Sequence, residues 1–196
     1  MRLRNVFPLL AVTLLVPAAS GCAGSKRQIS TGPLTLEEAR AFDHGVDFVA
    51  ALGGLEGRWR TDYDADLDLR VGTSDFVAIM AVDTVHSDTD PEQRVNHRLV
   101  GPVKRVIFGE NLKELQLVSR DTDEGYDSVS ENLVRIQKQD FVVYGKWYAG
   151  ESGHREAHFH LSPATEEILT QTETRAVLRE NNKPNKAGER VIVTNH

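Results

Sequence analysis

Three patterns of apolar and polar positions follow one another along the chain. Positions 6–16 (VFPLLAVTLLV) form an apolar stretch of 11 residues. From Leu36 onward the apolar residues Leu36, Ala39, Phe42, Val46, Val49 and Leu52 recur every three or four positions, which places them along one face of a helix. Thr35 with Glu38 fits a capping box at its start, and Gly53-Gly54 a stop, so an amphipathic helix is predicted over 35–54. Beyond Leu55, β-branched and aromatic residues alternate with polar ones in short runs broken by Asp, Gly, Asn and Pro. Strands are predicted near 55–63, 67–71, 75–85, 94–100, 103–108, 112–119, 132–138, 141–148, 155–161, 167–173, 175–178 and 190–194, some of which merge. The connections are too short for crossover helices, so neighbouring strands should be antiparallel.

The expected fold class is therefore mainly β, one domain over 55–196 behind a single N-terminal helix. A long series of consecutive strands either closes into an up-and-down β-barrel or folds into a β-sandwich, because both dispose of sticky edges. Leu55-Glu56-Gly57-Arg58-Trp59, following a helix and opening the first strand, resembles the G-x-W signature of lipocalin-like (calycin) barrels. The resemblance implies that Gly57 permits a tight approach where the chain enters the barrel. It also implies that the Trp59 ring plugs the closed end, with Arg190 as its basic partner from the last strand. The alternative is that Trp59 is a plain core residue of another barrel or sandwich. Thr61-Asp62-Tyr63 spells a second lipocalin motif, but far upstream of its place in that family, and is read as coincidence.

Arg2 and Arg4 before the apolar run, and small residues after it, make a signal-peptide pattern over 1–21. Eleven apolar residues cover roughly half of the ~30 Å hydrocarbon core, which argues against a permanent transmembrane helix. Ala19-Ser20-Gly21-Cys22 resembles the bacterial lipobox, and the single Cys of the chain falls at its last position. The resemblance implies cleavage before Cys22 and acylation of its thiol (diacylglycerol, palmitate). Residues 22–34 are then the lipidated Cys and a small, polar, flexible tether. In lipoproteins of this type, Asp after the Cys resembles an inner-membrane retention signal. Here the residue is Ala23, so the resemblance implies attachment to the outer membrane, on its periplasmic face.

Composition narrows the partners. A formal charge of -6, more acidic once Arg2 and Arg4 are removed, argues against nucleic acid and against electrostatic attraction to anionic headgroups. The membrane is therefore held through Cys22, and several acyl chains on one residue make that hold stable. One Cys leaves neither an internal disulfide nor a Cys-based zinc site.

Candidate chemistry is sparse. His158 and His160 form an H-x-H pair whose imidazoles share one strand face, a geometry open to zinc or haem if a third ligand joins it. His154 has the same parity, and the alternative is a set of histidines on a solvated barrel exterior. His86 and His97 have no evident relation to the pair. Asp62, Asp64, Asp66 and Asp68 recur at every second position, but without the Gly and distal Glu of a calcium loop they read as a solvated face beside a turn. Asp121-Thr122-Asp123-Glu124-Gly125 reads as a hairpin loop. No nucleophile elbow, phosphate loop or dinucleotide fingerprint occurs, and the thiol is committed to lipid. On strand 141–148, Tyr144 and Tyr148 share one face and Phe141 and Trp147 the other, either lining a pocket or packing a core. The expected function is non-enzymatic and without a cofactor: a barrel holding a small apolar or amphipathic ligand, with Trp59, Tyr144, Trp147 and Tyr148 as candidate lining. The alternatives are a structural lipoprotein contacting another envelope component, and a metal or haem protein using His158 and His160.

Overall fold

The computed structural model describes residues 34–150 and 154–182. In chain order the elements are α1 (Leu36–Ala41), β1 (Gly45–Val46), a 3-10 turn (Leu52–Gly54), α2 (Gly57–Thr73), β2 (Phe76–Ala81), β3 (Thr84–Thr89), β4 (Val95–Phe108), β5 (Glu114–Ser119), α3 (Tyr126–Ser130), α4 (Leu133–Ile136), β6 (Asp140–Ala149), β7 (Arg155–Pro163) and α5 (Glu166–Asn181). The strands form one seven-stranded sheet in the order β1-β7-β6-β2-β4-β3, with β5 also on β4. Only β1, against β7, pairs in parallel. The fold is mainly β, a curled sheet left open as a half-barrel.

Register explains the curl. β2 and β3 lie end to end along β4, pairing its second and first halves respectively. β4 is therefore one long strand, and between its two halves Gly101 passes so close to the Ala81 carbonyl that a Cβ there would overlap it. β5 joins the other side of the first half of β4, and β6 then β7 extend the sheet beyond β2. β5 and the first half of β7, which β1 leaves uncovered, approach without pairing, and the seam between them is a cleft of about 370 Å³ lined by Gln116, Val118, Glu156 and Ala157 among others.

Alternation sends side chains to two cores. On the concave face Phe76, Met80, Leu99, Leu117, Phe141, Phe159 and Leu161 pack with Val129 of α3 and Ile136 of α4, all essentially fully buried. On the convex face Val77, Val142 and Tyr144 pack against Ala41 of α1, Leu67 and Val71 of α2, and Ile168 and Ala176 of α5. Gly145 makes room on the concave face for the Phe76 ring, which lies 4.5 Å from that of Trp147.

Several sequence expectations are corrected. An up-and-down barrel would place consecutive strands side by side, but β6 sits beside β2 and the sheet does not close. Segments 55–63 and 67–71 are helical, because Tyr63, Leu67, Arg70 and Val71 make a buried stripe on α2. The alternate aspartates, some 200° apart on a helix, fall on two rows: Asp62 and Asp64 take Arg58 and Arg60 one turn back, and Asp64 and Asp68 take Arg175. Trp59 is not a plug; it is 77% exposed on α2, and Gly57 takes φ of 55° at that helix start rather than at the mouth of a barrel. Segment 132–138 holds the short α4, and 167–178 belongs to α5, capped by Thr165 with Glu166 and Glu167 in its first turn. The helix predicted over 35–54 starts with the expected Thr35–Glu38 capping box but ends at Ala41, since His44 adopts φ of 61° and Gly45 enters β1. The segment 121–125 leads from β5 into α3 and is not a hairpin. The expectations on Cys22, the signal peptide, the tether and Arg190 lie outside the described residues.

Candidate functional site

The turn at 42–47 is pinned from both sides. Gly45 and Gly125 touch backbone to backbone: a Cβ on Gly125 would lie 2.5 Å from Gly45 Cα. The Gly125 N–H donates to the Asp43 carbonyl at 2.8 Å, and the Val46 N–H to Ser128 Oγ at 2.9 Å. On the other side the His44 and Asp47 N–H groups donate to the carbonyls of Phe159 and Leu161, each at 2.9 Å. The turn thus carries Asp43, His44 and Asp47 onto the convex face of β7, the face that bears His158, His160 and Ser162.

His160 is enclosed by two carboxylates. Its Nδ1 lies 2.8 Å from Asp43 Oδ1 and its Nε2 3.0 Å from Asp47 Oδ2. Both partners only accept when ionised, so both nitrogens donate and the ring is an imidazolium. Burial and Arg70 push its pKa down, but the two carboxylates outweigh them and hold it above the ordinary value. Asp43 and Asp47 are pushed up by burial, yet end below the ordinary value through His160. Ser162 Oγ donates to Asp47 Oδ2 at 2.6 Å, and Arg70 approaches the same oxygen at 3.6 Å.

His158, two residues earlier on the same face, meets a different set. Its Nδ1 is 2.8 Å from His44 Nε2. His44 Nδ1 lies 3.0 Å from both Asp123 Oδ2 and the Val118 carbonyl of β5. With its backbone on β7 and its ring on β5, His44 bridges the seam that the sheet leaves open. The Tyr148 ring stacks on His158 at 4.0 Å, and its hydroxyl donates to Glu156 Oε2 at 2.7 Å. Arg120 reaches across from the end of β5 to the same oxygen at 2.6 Å. Burial, then the neighbouring His44, lowers the pKa of His158 to about 4, so it is neutral at pH 7. Burial raises Tyr148 to about 12.

This second group opens on an accessible cleft of about 250 Å³. Its lining is part apolar, from Leu34, Ala39 and the edge of the buried Phe42, and part polar and aromatic, from His44, Asp123, Tyr148 and His158. Glu38, whose backbone cap holds α1 at its rim, is paired with Lys146 of β6.

The sequence candidates separate accordingly. His158 and His160 do share one face, but not a solvated one. Among the described residues no group of three or more His, Cys, Asp or Glu is arranged to hold a metal ion. Tyr148 borders the cleft, whereas Tyr144 is sealed under α5 with its hydroxyl 2.8 Å from Thr172 Oγ1. Trp147 lies on the concave face, where the Arg155 guanidinium sits 3.7 Å above its ring. His154 is exposed at the start of β7, His86 is on the solvated strand β3, and His97 is buried against Tyr126. His44, Asp43, Asp47 and Asp123 escaped sequence reasoning, because the first three lie inside the segment read as helix and Asp123 inside a supposed hairpin. Among the described residues no helix is long and apolar enough to cross a membrane. Comparison with protein-family models and with curated proteins returns no match for this chain.

Proposed function

We propose that the protein is a bacterial envelope lipoprotein, acylated on Cys22 and held at the periplasmic face of the outer membrane, that binds a small amphipathic ligand without transforming it. The observation that carries the ligand reading is the cleft of mixed lining, in which Leu34, Ala39 and Phe42 occur with His44, Tyr148 and His158. The concave face of the sheet is filled by its own Phe, Leu and Val side chains, so the ligand's place is this cleft and not a barrel interior.

Two measurements test the reading. Intact mass of the full chain from a bacterial host should show a diacylglyceryl modification and membrane fractionation, both abolished by Cys22→Ala; an unacylated, freely soluble product overturns the anchor. Native mass spectrometry of the full chain from its own host should show a co-purified small molecule that is lost in Tyr148→Ala. A bare mass under conditions that preserve weak complexes overturns the ligand.

A further inference from the structure

Helix α5 leaves an apolar strip uncovered. Val177 is 59% and Leu178 55% exposed, and with Thr170, Glu173 and Thr174 they line a surface cleft of about 380 Å³. The strand beside them has an open side. β2 takes one side of the second half of β4, and β5 pairs with β4 only at 97–102, so among the described residues no further strand lies along Lys104–Phe108. The chain after Phe108 turns away toward β2 and β7: Gly109 lies against the backbone of Asp75 and Phe76, and Glu110 pairs with Arg155. α5 and this half of β4 run side by side in the same direction, since Glu173 pairs with Arg105, and the Arg179 guanidinium sits 4.5 Å from the centre of the Phe108 ring.

One apolar segment of the sequence lies outside the described residues. Val191-Ile192-Val193, between Arg190 and Thr194, is the core of the strand predicted last along the chain. Three consecutive β-branched apolar residues put apolar groups on both faces of a strand, so both faces need cover. α5 ends at Asn181, at the Phe108 end of β4. Seven residues, 183–189, then separate Asn182 from Arg190, and Pro184, Asn185 and Gly188 among them are residue types of turns. A chain that reverses over those seven runs back antiparallel to β4, and the five residues 190–194 match the five of Lys104–Phe108 in length. Cover is available on both sides there: Val177 and Leu178 of α5 on the convex face, and Val103 and Val106, only partly buried, on the concave one. The other open edges offer an apolar run less. β3 presents the exposed His86, Ser87, Asp88 and Thr89, and the β5–β7 seam is bridged by His44 and lined by Gln116 and Glu156.

We infer that residues 190–194 add to the outer edge of Lys104–Phe108 as an eighth strand, antiparallel to β4, with Val191 and Val193 under Val177 and Leu178 and with Ile192 toward Val103 and Val106. The test is amide hydrogen exchange of the full chain in detergent at pH 7, read by mass spectrometry on fragments that resolve 104–108 and 190–194. Amides of 191–193 should exchange at least about tenfold more slowly than those of 185–188, as pairing in a sheet requires. Ile192→Lys and, separately, Val177→Lys should each bring 191–193 to unprotected rates and speed exchange across 104–108. Val134→Lys, at a valine of α4 that is 91% exposed, should change neither. Unprotected 191–193 in the unsubstituted chain overturns the proposal without depending on the folding of any variant. Protection of 191–193 that survives Val177→Lys puts the segment elsewhere and overturns it too. Protection that fades on dilution, with cross-links between isotope-labelled and unlabelled copies, makes the occupant a second chain and overturns the intramolecular strand.

Discussion

His158 and His160 stand two positions apart on the same face of β7, and both are largely withdrawn from water, yet their charge states are opposite. His160 donates from both nitrogens to Asp43 and Asp47, and its pKa is raised despite complete burial. His158 has a second imidazole as its hydrogen-bond partner, and its pKa falls to about 4. Burial opposes charge in both, so the partner decides the sign. The consequence is a division of labour: His160 is a cation clamping the 42–47 turn onto β7, and His158 is a neutral ring lining the cleft.

The sharpest way to break this comparison is to remove each ring. His160→Leu leaves two half-buried carboxylates with Arg70 as the nearest remaining cation, at 3.6 Å from Asp47, and should cost about 3 kcal/mol in urea unfolding, the low end for breaking a buried pair. His158→Phe strands no charge and should cost only about 1 kcal/mol, the order of one lost hydrogen bond. Equal losses in the two variants would show that His160 is no ionic clamp. Next in size is Gly125→Ala. Its Cβ would lie 2.5 Å from Gly45 Cα with backbone on both sides, so the turn must shift, at a cost of about 1–3 kcal/mol. The shift should also disturb both histidines, visible as simultaneous changes in their imidazole resonances.

Stability against pH separates the pair by sign. His160 has a raised folded pKa, so its contribution is complete below the unfolded value, about 6.5, and is lost as pH rises through the folded one. His158 is depressed to about 4, so its contribution is present above about 6.5 and is lost as pH falls toward 4. Urea midpoints across pH should therefore rise less steeply from pH 4 to 6.5 in His158→Phe than in the parent. Above pH 6.5 they should decline less in His160→Leu. Parallel profiles for all three proteins would remove the opposition.

Much of the local structure was legible, and most of the site was not. The Thr35–Glu38 capping box, the face shared by Tyr144 and Tyr148, and the common side of the H-x-H pair follow from spacing alone, because they are local geometry. Helix α2 was obscured by aspartates alternating at the period of a strand, although Tyr63, Leu67 and Val71 already carried the helical stripe. In α5 the threonines masked the spacing of Ile168, Thr172 and Ala176, and Thr165 before Glu166-Glu167 was the cap signal that would have found it. The His44–His158 contact spans 114 positions and needs three events together: a left-handed turn at His44, the Gly45–Gly125 approach, and a sheet that curls without closing. None of these is a periodicity, so no pattern along the chain announces them.

The smallest expected effect refines the neutral half of the comparison. Tyr148→Phe retains the ring stacked on His158 and deletes the hydroxyl that donates to Glu156 and accepts from Arg120 at 3.3 Å. Arg120 still reaches Glu156 directly, so neither charge is stranded, and the loss should be about 1 kcal/mol. His158 owes its low pKa first to burial and then to His44, neither of which the hydroxyl supplies. An NMR titration of the variant should therefore still place His158 near 4, whereas a return toward its ordinary value would mean that the Tyr148–Glu156–Arg120 bridge, and not the ring packing, is what keeps water from that imidazole.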